Sequence, residues 1–282
     1  MKRLVVTADD FGLAPEVNEA VEQAHRRGVL SAASLMVGAP AAADAVARAR
    51  RMPRLRIGLH LVLVEGRPVA PTADVRDLVD GSGRLRADLA AYGLAIMIRP
   101  AVRRQLRSEI RAQFEAFRAT GLVLDHVNAH RHYHLHPVIT AELFDIGRDY
   151  GMNALRAPFE PRASLCAVEP TPRSMVARLA APWAALLRAR ARAAGLVVAD
   201  RVFGLAWSGA MTETRLAGLI AGLSPGRTEI YAHPATSGGF PGSAAGYRYR
   251  EELSALLSPQ CREAVVRSGA TLGGYGDLAV AD

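Results

Sequence analysis

The chain has 282 residues, half of them hydrophobic, which suffices for one large α/β domain or two small ones and excludes bulk disorder. Its formal net charge of +8 comes without zinc-finger spacing or a basic strand interleaved with aromatics, so nucleic acid is not an expected partner, and the charge reads either as a match for an anionic membrane surface or as no more than an arginine- and alanine-rich composition. Two cysteines, Cys166 and Cys261, with no CxxC pair exclude a disulfide framework, and no run approaches the roughly 18 apolar residues of a membrane span. Met1-Lys2-Arg3 has the charge of a signal-peptide start, but Leu4-Val5-Val6 is too short an apolar run to continue one, so a cytoplasmic location is expected.

Residues 3–8 read as a buried first strand that ends in Asp9-Asp10-Phe11-Gly12. Two adjacent carboxylates there repel each other and are penalised by burial. A divalent cation removes the difficulty, with one carboxylate as ligand and the other as proton acceptor. The plainer alternative is a helix N-cap and a solvated turn, since a helical pattern begins near Pro15. Residues 15–27 are helical and stop at Gly28; 31–38 form a second strand, 40–51 an alanine-rich helix and 55–63 a third strand. His60 is the only polar residue of that strand after Arg56, and a solitary histidine in such a place is usually a hydrogen-bonded core residue. Residues 65–94 read as a loop insertion with a turn at Asp80-Gly81-Ser82-Gly83. Residues 97–119 form a long amphipathic helix that packs through Val102, Leu106, Ile110, Phe114 and Phe117.

Five of the eight histidines lie between Asp125 and Pro137. The run Leu122-Val123-Leu124 predicts a fourth buried strand, which turns polar and gives way to a helix at Pro137. His130, His132 and His134 alternate along an extended chain, which would set them on one face. Neutral histidine is the commonest ligand of divalent metals, so the cluster points to metal or catalytic use, without saying of which histidine. A helix over 137–150 follows, then a short strand over 153–158 ending in Arg156-x-Pro158, and a Pro-rich irregular stretch over 159–172. The Arg/Ala/Leu helix over 173–195 is either an ordinary outer helix or a basic amphipathic surface for a lipid or membrane. A strand over 197–205, a helix over 212–223 and a strand over 228–232 lead to His233-Pro234. A Gly/Ser-rich loop, a helical region and a final short strand over 271–275 complete the chain.

About eight strand candidates alternate with helices. The pattern predicts a parallel sheet, most simply an irregular (β/α) barrel in one domain over 1–282, with loop insertions near 65–94 and 159–195. No GxGxxG follows the first strand and there is no Walker A loop, which disfavours an open doubly wound nucleotide fold. In a barrel the C-terminal strand ends converge on one face. Asp9, Asp10, His60, His130, Arg156 and His233 all fall at such ends. One aspartate with two histidines is a common set for zinc, and also for magnesium, manganese or cobalt. A second carboxylate can take a proton and a histidine across the site can return one, which fits metal-assisted hydrolysis of an amide or ester.

Thr7-Ala8-Asp9-Asp10-Phe11-Gly12, Gly58-Leu59-His60, His130-x-His132-x-His134, Arg156-x-Pro158 and Glu229-x-x-x-His233-Pro234, in that order across nearly the whole chain, resemble the YdjC-type carbohydrate deacetylases. Within that family the run from Asn128 to Pro137 is most similar to the hopanoid-biosynthesis-associated branch (HpnK). The resemblance implies a distorted barrel and a metal-dependent N-deacetylase. For that branch it implies release of acetate from an N-acetylglucosaminyl group on a hopanoid lipid. It implies Asp10, His60 and His130 as ligands of one divalent ion, magnesium or zinc, with Asp9 as general base and His233 as general acid. It implies that Arg156 orients the base or the substrate, and that His132 and His134 support the site or touch the substrate. His126 stands at His-x-x-x-His spacing from His130, but it precedes the polar turn and reads as structural. The expected partner is an N-acetylated sugar or glycolipid, with peripheral membrane contact through 173–195 and a homodimer both compatible with the resemblance. The alternatives are a deacetylase of soluble chito-oligosaccharides, another metal-dependent hydrolase such as a phosphoesterase, and a non-catalytic metal- or sugar-binding barrel. A pure binder has no need of Asp9 and His233.

Overall fold

The computed structural model describes residues 1–172 and 175–278, apart from the side chains of residues 176, 177 and 180. Strand β1 (Lys2–Phe11) is the axis of the sheet and is buried from Leu4 onward. A strand covered on both faces is what a parallel sheet under helices requires, and its continuous apolar run follows from that. β6 (Gly226–Ala232) pairs with one edge of β1 from Lys2 to Ala8. On the other edge β7 (Thr271–Leu272) pairs with Arg3 and Leu4, and β2 (Ala32–Leu35) takes over from Thr7. The sheet extends through β2 to β3 (Arg56–Leu61) and β4 (Val127–Ala129), and through β6 to β5 (Arg201–Phe203), with every pairing parallel. The result is one α/β domain whose sheet curls into a half-barrel, in the order β4-β3-β2-β1-β6-β5. From β4 back towards β5 the wall is continued only by isolated bridges, Val127 to Leu155 and Ala154 to Val197.

Helices α1 (Pro15–Arg27), α2 (Ala42–Arg50), α3 (Leu89–Ile98), α4 (Pro100–Ala119), α5 (Pro137–Asp149), α6 (Arg162–Val168) and α7 (Met175–Ala193) run between the first five strands. They are followed by α8 (Glu213–Ala221), α9 (Tyr249–Leu257), α10 (Pro259–Ser268) and the short α11 (Tyr275–Leu278). The face of α4 buries Val102, Leu106, Ile110, Phe114 and Phe117, the stripe its spacing predicts.

Five expectations need correction. The candidate strand over 153–158 supplies only bridges, so seven strands stand among the described residues. The predicted strand at Leu122-Val123-Leu124 does not form: the chain is still turning out of α4, with Gly121 at φ 71°, the Leu122 N–H on Thr120 Oγ1, and Val123 85% exposed. The loop insertion ends in a helix, because Asp88 caps α3 by accepting from the N–H groups of Ala90 and Ala91. The predicted helix over 97–119 is accordingly split at Arg99, with Pro100 opening α4. The stretch over 159–172 contains α6. The first residues of the predicted helix over 173–195, and the last four of the span 1–282, lie outside the described residues. No helix among the described residues is long and apolar enough to cross a membrane.

Candidate metal and catalytic site

The two carboxylates after β1 diverge because the strand is irregular there. Its register with β2 shifts between Ala8 and Phe11, and Asp10 takes φ 61°. A bulge of this kind re-aims side chains that would otherwise simply alternate, and aspartate tolerates the left-handed region better than most residues. The turn is clamped by Asn18 of α1, whose Oδ1 accepts from the Gly12 N–H at 2.8 Å while Nδ2 donates to the Ala41 carbonyl and to Asp44.

Asp10 Oδ1 lies 3.3 Å from His60 Nε2 and 3.3 Å from His130 Nδ1. The three residues have ligand atoms within 4.8 Å of one another. Asp10 Oδ1 and His60 Nε2 are buried and have no hydrogen-bond partner. Each ring's other nitrogen faces an acceptor. His60 Nδ1 is 2.7 Å from Asn128 Oδ1, and the Asn128 amide donates to Asp9 and Ser34, so its oxygen must be the atom facing His60. That places the proton on Nδ1 and leaves the Nε2 lone pair towards Asp10. His130 Nε2 is 3.6 Å from Glu65, which also receives a two-pronged bond from Arg131. An orphaned carboxylate oxygen, an orphaned imidazole nitrogen and second nitrogens committed to oxygens are the donor set of a divalent-metal site. The electrostatics agree. Burial alone would lower the His130 pKa, but the carboxylates of Asp10 and Glu65 beside it push it up to about 9. The bonds from His130 and then Arg131 bring Glu65 down to about 2.

Arg156 lies behind Asp9 and is fully buried. Its Nη2 donates to Asp9 Oδ1 at 3.0 Å and to Glu229 Oε1 at 2.8 Å, Nε donates to Glu229 Oε2 at 3.0 Å, and Nη1 donates to Asp9 Oδ2. Its guanidinium carbon lies 4.4 Å from the Tyr231 ring centre. Glu229 also accepts from the hydroxyls of Thr7 and Tyr275. Burial would raise the Asp9 pKa, but Arg156 outweighs it and holds the carboxyl far below the usual range.

The histidine run is not extended. His130–Leu135 is a 3-10 turn in which Arg131 and His132 take φ 57° and 51°. His130, His132 and His134 therefore do not share one face. His130 turns to Asp10, His132 Nε2 meets the Tyr231 hydroxyl at 2.9 Å, and His134 Nε2 donates to the Arg156 carbonyl at 2.8 Å. Burial lowers the pKa of His132 strongly and that of His134 to about 4, so both rings are neutral. His136 turns away to the Gly93 carbonyl. His126 is fully buried, stacked on Tyr275 and bonded to Asp125 and Ser34.

His233 follows β6, half-buried, with its ring between Tyr231 and Tyr247 and no partner on Nδ1. Its backbone N–H donates to Glu252, a carboxylate buried in α9 that also accepts from the Met211 N–H.

Glu65, Asn128, Tyr231 and Glu252 join the site without being singled out by the sequence patterns. Asn128 is legible once β3 and β4 are neighbours, because the register pairs it with His60. Glu65 carries no local signal: it reaches His130 only because its loop folds back with φ 60°.

The sequence profile of the YdjC-like protein family matches residues 3–267. A carbohydrate deacetylase from Brevibacillus brevis is 40% identical over 148 residues, 52% of this chain and 56% of that protein, and one from Vibrio vulnificus is 38% identical over the same share. The chain thus matches little more than half the length of these relatives. A carbohydrate deacetylase from Geobacillus stearothermophilus is 30% identical over 278 residues, 97% of both chains. A solved structure from Enterococcus faecalis V583, provisionally named for cellobiose-phosphate cleavage, superposes with a TM-score of 0.75 over 99% of both chains at 23% identity, a likeness of fold.

Proposed function

This chain belongs to the YdjC-like family, and from that premise we propose that it is a metal-dependent hydrolase that removes the acetyl group from an N-acetylated amino sugar. The observation that carries the reading is the pair of buried, unpartnered ligand atoms, Asp10 Oδ1 and His60 Nε2, beside His130 and directly next to a second carboxylate. The deacetylase names of the relatives agree with it.

In this reading Asp10, His60 and His130 hold one divalent ion, magnesium or zinc. A divalent ion there would polarise the acetamide oxygen and acidify the attacking water, which Asp9 needs, because the guanidinium that keeps its carboxylate ionised also weakens it as a base. Asp9 accepts the proton from that water. Arg156 and Asn128 fix the direction of its oxygens. His233 hands a proton to the departing sugar amine from the opposite side, with Glu252 buried behind its backbone to hold the strand end. His132 steadies Tyr231 over Arg156, and His134 pins the Arg156 main chain.

The acceptor we favour is an N-acetylglucosaminyl group on a hopanoid glycolipid, on the strength of the residues from Asn128 to Pro137. The test is acetate release from that lipid and from N,N′-diacetylchitobiose, with and without added metal, for wild type and Asp9→Asn. Metal-dependent release lost in Asp9→Asn is the expected result. Release from the soluble sugar alone discards the lipid. Phosphate release from phosphoesters without acetate release discards the deacetylase.

A further inference from the structure

Two helices packed on the His130–Leu135 turn expose apolar side chains that the fold leaves uncovered. The first is α3, whose ten residues include no charge. It buries Tyr92, Gly93 and Ile96, while Leu94, Met97 and Ile98 are 57%, 55% and 66% exposed. A helix apolar all round is normally buried all round. α3 is tied to the turn through Tyr133, which stacks on Tyr92 and donates to the Leu89 carbonyl, and through His136 on the Gly93 carbonyl.

The second is α7, which packs against the same turn and α5. Met175, Leu179, Pro182 and Leu186 recur at helical spacing on one side, joined by Trp183, and all are exposed. The helix has no acidic residue. Arg178 and Arg190 are exposed and pair with no carboxylate among the described residues, and Arg188 lies over the exposed Phe159 ring at 4.3 Å. On the α3 side, the first turns of α4 add the exposed Arg104, while Arg103 next to it faces Glu142 at 4.0 Å.

We propose that α3 and α7 form a membrane-docking surface that seats the protein on an anionic lipid bilayer beside the active-site turn. Exposed apolar side chains with a tryptophan and uncompensated arginines are the composition of helices that lie in the headgroup region. Charge complementarity favours a bilayer over a second copy. A two-fold contact sets a patch against itself, so the arginines of α7 would face a copy of a helix that has no carboxylate to pair with them, whereas anionic headgroups neutralise them. Neither helix is built to cross the membrane, so the contact is peripheral. Delivery of a lipid-linked sugar to the site rests on the proposed hydrolase function; the docking does not.

The test is co-sedimentation of the full chain with vesicles of phosphatidylcholine alone and of phosphatidylcholine with phosphatidylglycerol, at low and high salt. Binding should appear with the anionic vesicles and fall at high salt. Leu179→Ser with Trp183→Ser should abolish it, Arg178→Glu with Arg190→Glu should weaken it by at least about tenfold, and Leu94→Ser with Met97→Ser should weaken it separately. All six positions are exposed, and circular dichroism and metal content should match wild type. Absence of binding to anionic vesicles overturns the proposal. So does a dimer in solution that the same substitutions dissolve while vesicle binding is unaffected by them. Vesicle binding without acetate release from any sugar would keep the docking surface and reject the hydrolase reading instead.

Discussion

Asn128 Oδ1 sits 2.7 Å from Nδ1 of His60, with the amide's hydrogens spent on Asp9 and Ser34. One side chain thereby sets the tautomer of a candidate ligand and the position of the candidate base. In Asn128→Ala, His60 loses the acceptor that keeps its Nε2 unprotonated. The loss of an outer partner of this kind typically weakens metal binding about 10–100-fold. Calorimetric titration of the stripped protein with zinc or magnesium would read it, and wild-type affinity in the variant would sink the idea.

Glu65 faces Nε2 of His130 as Asn128 faces Nδ1 of His60, from the loop that follows β3. Glu65→Ala removes the carboxylate facing Nε2 and also frees Arg131. Metal affinity should drop about tenfold, with activity restored by excess metal. Lost activity that excess metal does not restore would assign Glu65 a part in the chemistry instead.

The Arg156 guanidinium bridges two buried carboxylates, Asp9 and Glu229. Truncation to Met leaves both without a counter-charge, which typically costs about 3–5 kcal/mol. Arg156→Lys keeps the charge but cannot reproduce four bonds in one plane, so it should recover only part of that loss. Urea unfolding of the three proteins separates these outcomes; equal stability of Arg156→Met and wild type would contradict them.

Gly58 in β3 faces the His126 ring, and a Cβ built there would meet His126 Nε2 at 2.4 Å. The ring cannot retreat, being stacked on Tyr275 and held by Asp125 and Ser34. Gly58→Ala should therefore destabilise by about 1–3 kcal/mol, as overpacking does. A thermal midpoint equal to wild type would show that the stack is looser than these contacts state.

Asp125 ties the end of the described chain to the entry of β4, accepting from the N–H groups of Tyr275 and Gly276 and from His126. Burial would raise its pKa, but the His126 bond and the two backbone donors outweigh it and hold it below 3.8. A depressed carboxylate contributes stability that is complete above its unfolded pKa of about 3.9 and fades as pH falls through the lower folded value. Asp125→Asn should be less stable at pH 6 and lose less further stability between pH 5 and 3. Parallel stability profiles of the two proteins over that range would refute the assignment.

Much of this site was legible from local chemistry. A carboxylate pair closing an apolar strand is expensive unless compensated, and cost shows in a sequence, whereas His60 alone reads as a core residue and Arg156 takes its role from the family resemblance. The strand-helix alternation told of parallel pairing for the same reason, since two-sided burial demands unbroken apolar runs. The division of labour among the histidines was not legible. An extended chain would have aligned His130, His132 and His134, whereas left-handed Arg131 and His132 turn them to Asp10, Tyr231 and Arg156. Asn128 and Glu65 acquire their roles from contacts across 68 and 66 residues of chain, to His60 and to Arg131. The sequence by itself determined which polar groups had to be compensated in a buried sheet; tertiary structure decided which partner compensates each, because hydrogen bonds between strands and loops depend on register and backbone angles that no local pattern encodes.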